Sequence, residues 1–328
     1  MTDPPSALVS GLPQDASIPE SLAEFVRRFP TERSCEKLLR RWKYGEAGFA
    51  CPRCGGKEAW YLPSRRLDEC RSCGKQTSLT AGTLFHKSTT PLRTWFLAVR
   101  AFTASKQGIS ATELSRELGV SYPTAWTWLH KMRSLVHQRP QEPLSGVVEA
   151  DETLEGGRES GAVGGRGTAK KSVIGGAVEI TEHGFGRCRL AVLPDAAADS
   201  LGPFLQEHVA KGAKLRTDGW AGYTQDATEG MKHRATSIKG SGKKAHEVLP
   251  GVHRVFSLMG RVLAATYQGA ASKKHLCLYV AEFEFRFNRR HSKSRALLFQ
   301  RALSAGVLRA PPTYWEIIGR ERPKRTAA

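Results

Sequence analysis

The chain has 328 residues, with 50 Lys and Arg against 31 Asp and Glu, and so carries a formal charge of +19. That length suggests about two domains plus appendages, and a charge of that size calls for a polyanionic partner, nucleic acid first. No apolar run approaches a membrane span, and MTDPPSALVSGLPQ lacks the charged start and apolar stretch of a secretory leader, so a soluble, intracellular protein is expected, cytoplasmic and nucleoid-associated.

In chain order, residues 1–20 read as a disordered Pro/Ser/Ala leader, and Leu22 to Trp42 carries helical spacing with basic residues on its other side. Two knuckles follow, Cys51-Pro-Arg-Cys54 and Cys70-Arg-Ser-Cys73, at zinc-ribbon spacing. Each tight turn offers two thiolates to one tetrahedral ion, so Cys51, Cys54, Cys70 and Cys73 close a shell with no open position, as in a structural zinc site. Two disulfides or a redox CxxC are the rival readings. Residues 21–90 are thus a zinc-ribbon domain. Cys35, Cys188 and Cys277 have no such partner and read as buried small residues.

Residues 91–140 change grammar. Thr90-Pro91 opens a helix to Ala104; Ser110-Ala-Thr-Glu113 is a capping box; Gly119 ends that helix; Ser121 caps a longer one to about Val136. Helix, glycine turn, helix predicts a helix-turn-helix module, with Tyr122, Thr124, Thr127 and Lys131 facing DNA and Ala125, Trp128, Leu129 and Met132 facing the core. An ordinary helical hairpin gives the same pattern.

From about residue 145 the chain turns β-rich. Strands are expected at 147–151, 172–180, 187–194, 214–218 and 233–238, with helices at 197–211, 252–268 and 273–290. Three strands, a helix, then alternating strands and helices is the order of a ribonuclease H-like fold: an α/β mixed sheet flanked by helices, preceded here by the ribbon and the helix-turn-helix. Asp151 and Asp218 end two of the strands, where paired carboxylates can hold Mg²⁺ or Mn²⁺ for in-line phosphoryl transfer; a lone Asp there is more often a turn former or cap. Glu152, Glu155 and His253 are candidate auxiliaries. The loop with glycines at 156, 157, 161, 164, 165 and 167 is basic and suited to phosphates, but it supplies no GxxxxGK[ST], which argues against ATP-driven chemistry. Residues 231–328 hold 20 Lys and Arg against five Glu and no Asp, hence most of the excess charge, with residues 311–328 as a basic tail.

The ordered set CPRC, CRSC, TSLTAGTLFHKSTTPLRTWF, GVSYPTAWTWLHKMR, VVEADETLEGG, LRTDGWAGY and YVAEFEFRFNRR resembles bacterial insertion-sequence transposases that join a zinc ribbon to a DDE-type ribonuclease H-like domain, here residues 145–310. The resemblance implies a homo-oligomer acting on double-stranded DNA, binding transposon ends and joining them to target DNA, with Asp151 and Asp218 as the first two metal ligands. It places the third at Leu258 in HRVFSLMG, which cannot coordinate, with Gly260 and Gln268 where Lys and His are usual. Activity is then expected to be impaired. Either the match is displaced by a helical turn or Glu282 supplies the ligand from the following helix, beside Arg286, Arg289 and Arg290 as DNA clamps. The competing readings are a catalytically inactive zinc-containing DNA-binding protein and a nuclease that cuts without joining.

Overall fold

The computed structural model describes residues 19–45, 47–138, 141–156, 171–268, 271–292, 294 and 296–321. The leader, apart from Pro19 and Glu20, and the glycine-rich loop from 157 to 167 lie outside the described residues. In chain order the elements begin with α1 (Leu22–Arg28), α2 (Glu32–Tyr44), β1 (Ala59–Leu62), β2 (Leu67–Cys70), β3 (Gln76–Ser78), α3 (Leu92–Ala104), α4 (Ala111–Leu118) and α5 (Tyr122–His137). They continue with β4 (Val147–Glu155), β5 (Ser172–Thr181), β6 (Gly184–Leu193), α6 (Ala198–His208), β7 (Lys214–Thr217), β8 (Lys232–Ala235), α7 (Ile238–Ser241), α8 (Ala245–Val248) and α9 (Pro250–Tyr267). A 3₁₀ turn at Lys273–His275 leads into α10 (Leu276–Phe287), and α11 (Ala296–Leu308) and α12 (Tyr314–Ile318) follow. The chain forms two compact units, one of residues 1–105, 109–136 and 292–328, the other of 106–108 and 137–291.

In the first unit the single helix expected from Leu22 to Trp42 is two. Pro30 has no N–H to donate, and Thr31 starts α2 with a capping box, its Oγ1 accepting from Ser34 N at 3.3 Å. α2 docks on the ribbon through Lys43, whose Nζ donates to the carbonyls of Leu79 (2.8 Å) and Ala81 (2.7 Å), and through Arg40, which meets both oxygens of buried Asp68 at 3.0 Å. The ribbon is a three-stranded antiparallel sheet in the order β1-β2-β3. α4 ends at Gly119 in the left-handed region, and Trp128 of α5 stacks on Trp95 of α3 at 4.0 Å.

One boundary is corrected. Residues 292–310 were expected to close the second domain, but α11 packs on α3 and α2, and Phe299 meets Phe25 and Phe96 edge-on. The segment is apolar on most of its surface, so it is buried within the aromatic core of the first unit. The expected basic tail begins with the capped helix α12.

The second unit is a five-stranded mixed sheet in the order β6-β5-β4-β7-β8, in which β6, β5 and β4 run antiparallel and β4, β7 and β8 parallel. This is the ribonuclease H-like architecture. Strand alternation sends Val148, Ala150 and Ala177 to one face, where Leu201, Phe204 and Leu205 of α6 cover them. The opposite face buries Ile174 and Val178 under Val252, Val255, Phe256 and Met259 of α9, with Tyr279, Val280 and Phe283 of α10. α9 comes this close because Gly176 has no side chain: a Cβ there would stand 2.6 Å from Phe256 Cε1.

Candidate functional site

The knuckles of the ribbon are the same turn made twice. Gly55 N donates to Cys51 O and Gly74 N to Cys70 O, each at 2.9 Å, and both glycines have φ near +70° (72° and 66°), a conformation other residues rarely adopt. The four Sγ atoms lie within 4.8 Å of one another, with Cys51–Cys73 and Cys54–Cys70 at 3.6 Å. Thiolates about 2.3 Å from a tetrahedral zinc stand about 3.8 Å apart, whereas a disulfide requires about 2.05 Å. The spacing fits zinc and rules out two disulfides. Burial works against the Cys51 thiolate, but the N–H groups of Cys54 and Arg53 and the neighbouring thiols bring it down to about 6. All four positions of the shell are protein sulfurs, so the site is structural.

In the second unit, β4 and β7 are parallel neighbours with Val147 opposite Lys214, Val148 opposite Leu215 and Glu149 opposite Arg216. Continuing that register by two residues sets Asp151 beside Asp218. Asp151 is buried, opposite Gly176 of β5 and on the face covered by α9. Its Oδ1 accepts from Glu152 N at 2.9 Å, and its Oδ2 lies 3.1 Å from His253 Nε2. Asp218 is half-buried, with Oδ1 accepting from Trp220 N at 2.9 Å, an Asx-type turn at the strand end. Glu152 points to the other side, where Tyr223 donates its hydroxyl to Oε2 at 3.1 Å. Burial first, then Glu152, Asp151 and Asp218, push that hydroxyl well above its ordinary pKa, so Tyr223 stays a neutral donor among three carboxylates.

The α9 residue that meets Asp151 is therefore His253. Leu258, five residues on, packs against the apolar cluster beneath the helix, and Gly260 has nothing within 4 Å of where a Cβ would stand. Glu282 does not join Asp151 and Asp218. It is fully buried, with Oε1 2.6 Å from Arg286 Nη1, and among the described residues the cysteines are the only group of three or more metal-binding side chains within mutual reach. The spacing of Glu282 and Arg286, one helical turn, was visible in the sequence and makes them partners of each other.

Two of the arginines expected to clamp DNA are likewise committed inward. Arg286 is buried in that pair, and Arg290 donates to the carbonyls of Phe185, Gly186 and Phe287 with its guanidinium 3.9 Å from the Phe287 ring. Arg289, half-buried, donates to Phe285 O at 2.9 Å and lies over the Phe285 ring. On α5, Ala125, Trp128, Leu129 and Met132 are buried, while Tyr122 is 48% exposed. Thr124 shares a hydrogen bond with Ser121, Thr127 donates to Pro123 O at 2.7 Å, and Lys131 is half-buried, with burial lowering its pKa.

Sequence reading missed Tyr223 and Glu149. Glu149 precedes Asp151 by two residues in a strand, which puts both side chains on one face, so its place beside the site was legible from the period alone.

Asp218 follows the end of β7 as expected, but β4 runs on to Glu155, so Asp151 is inside its strand and not at the end. A closed zinc ribbon ahead of a ribonuclease H-like sheet defines the class of this protein. Residues 143–288 match the ISXO2-like transposase domain, and residues 30–76 match the transposase zinc-ribbon domain. A relative from Halobacterium salinarum, described as a protein in transposable element ISH50, is 26% identical over 280 residues, 80% of this chain and 92% of the relative. Residues 30–76 and 143–288 are thus similar to the two domains of insertion-sequence transposases. Among the described residues, no helix is long and apolar enough to cross a membrane.

Proposed function

We propose that the chain binds the terminal repeats of an insertion sequence and cleaves and joins double-stranded DNA with a divalent cation at Asp151 and Asp218. The observation that carries this reading is the His253–Asp151 contact at 3.1 Å, with Asp218 alongside in the parallel register. Asp151, Asp218 and His253 do not stand as a ready three-ligand group, so a cation would have to draw them together, with His253 in place of Leu258, which cannot coordinate. Two carboxylates and an imidazole suit Mn²⁺ better than Mg²⁺, which prefers oxygen ligands alone. When bound, the metal would activate the attacking oxygen and stabilise the leaving one. His253 lies against Asp151, Tyr223 holds Glu152, and the helix α5 offers Tyr122, Thr124 and Thr127 to the DNA. By the family resemblance, two or more copies of the chain act together on paired ends, in the nucleoid.

A second reading, a DNA-binding protein without chemistry, draws on the cysteines being the only group of three or more metal-binding side chains within mutual reach among the described residues. Joining of a labelled pre-cleaved 3′ end into plasmid DNA separates the readings. Joining in Mn²⁺ that is lost in Asp151→Ala and Asp218→Ala supports the transposase; DNA retention without cleavage or joining supports the second. Cleavage without joining would identify a nuclease.

A further inference from the structure

Resting on that reading of the site, we infer that Glu149 is a positioning residue which caps α9 from the sheet and so aims His253 at Asp151. Helix α9 starts poorly by its own means. Its N-cap, Leu249, has no side-chain acceptor, and Pro250 at the first position has no N–H, so Gly251 and Val252 carry the first free donors. Both turn to one buried oxygen: Glu149 Oε2 accepts from Gly251 N at 2.7 Å and from Val252 N at 3.3 Å. The carboxylate comes from β4 and does what a Ser or Asp at the N-cap would ordinarily do.

The approach is tight. A Cβ on Gly251 would lie 2.9 Å from Glu149 Oε2 and 2.5 Å from Ile180 Cδ1, so any larger residue would have to displace the Glu149 carboxylate or the Ile180 methyl. Strand alternation places Glu149 and Asp151 on one face, about 7 Å apart. On the helix, the two amides and the His253 ring are successive residues. β4 and α9 are thus joined by two rungs, Glu149 to the amides and Asp151 to the imidazole, and the first sets the height of the second. The Glu149 carboxyl is buried and sits above its ordinary pKa because of that burial, an effect the two amides oppose. Positioning needs only its acceptor oxygen, which a Gln at the same place would retain.

The test compares Glu149→Gln, Glu149→Leu and Asp151→Asn by the ¹⁵N signals of the His253 ring and by Mn²⁺ affinity, in the zinc-loaded full chain. The expected pattern is a wild-type His253 signal in the Gln variant, and in the Leu variant a signal shifted toward that of Asp151→Asn with Mn²⁺ affinity down about tenfold. If Glu149→Leu fails to fold, Glu149→Asp, one methylene too short to reach the amides, takes its place with the same expectation. A wild-type His253 signal in every folded Glu149 variant would overturn the inference, as would a signal that Asp151→Asn leaves unchanged. Failure of the purified chain to join DNA, with the expected His253 pattern intact, would sink the transposase reading and leave the positioning role standing.

Discussion

Alanine in place of Gly176 and of Gly260 should change stability in opposite directions. Gly176 lies on β5 opposite Asp151, and a Cβ there meets Phe256 at 2.6 and 2.7 Å and Leu190 at 3.1 Å. The Phe256 ring would have to withdraw by about 0.8 Å to recover an ordinary 3.4 Å contact, and Phe256 is carried by α9 three residues after His253. Overpacking of this kind costs about 1–3 kcal/mol, offset by about 0.5–1 kcal/mol from replacing a strand glycine. We expect a net loss of about 1–2 kcal/mol for Gly176→Ala. Gly260 is inside α9 with nothing within 4 Å of its Cβ position, so the same methyl should stabilise by about 0.5–1 kcal/mol. Urea unfolding followed by tryptophan fluorescence measures both. A Gly176→Ala protein as stable as wild type would refute the account of how α9 is seated, because the helix would then have room to spare over the strand that carries Asp151.

Other expectations follow from the sites. The ribbon should bind one zinc per chain; Cys54→Ser should abolish stoichiometric zinc, read with a colorimetric chelator, and melt the ribbon amide signals in NMR. Replacing Arg286 with Gln removes the 2.6 Å partner of buried Glu282 and should cost about 3–5 kcal/mol of stability, whereas Tyr122→Ala should leave stability unchanged and weaken DNA binding by about 1–3 kcal/mol. Cys35 is fully buried and its thiol is pushed up to about 12, by burial first and then by Glu32. The native thiol thus stays protonated where the unfolded one ionises, so this group should lower stability as pH rises from about 9 toward 12. It should resist alkylation at pH 8 until the protein is unfolded, which mass mapping of the labelled cysteines will show.

Much of this was legible because it is local. The two CxxC turns, the Gly119 stop and the alternation in VVEAD each announce themselves within a few residues, and the succession of strands and helices pointed to the fold. What was not legible depends on how close elements approach. The partner of Asp151 is decided by where α9 sits on the sheet, and that is decided by Gly176 and Gly251, residues whose meaning in the sequence is only the absence of a side chain. Glu282 looked available because a carboxylate in a charged helix could face any direction; burial beside Arg286 removed that freedom. The segment 292–310 was assigned by its place in the chain, yet its apolar surface is used by the aromatic core around Phe25 and Phe96.

The most direct test of the central claim is calorimetric titration of Mn²⁺ into the zinc-loaded chain and its Asp151→Ala, Asp218→Ala, His253→Ala and Glu282→Gln variants. The account predicts binding in wild type, loss in both aspartate variants, weakening in His253→Ala and no change in Glu282→Gln. Absence of binding in wild type, or its loss on changing Glu282 alone, would contradict it.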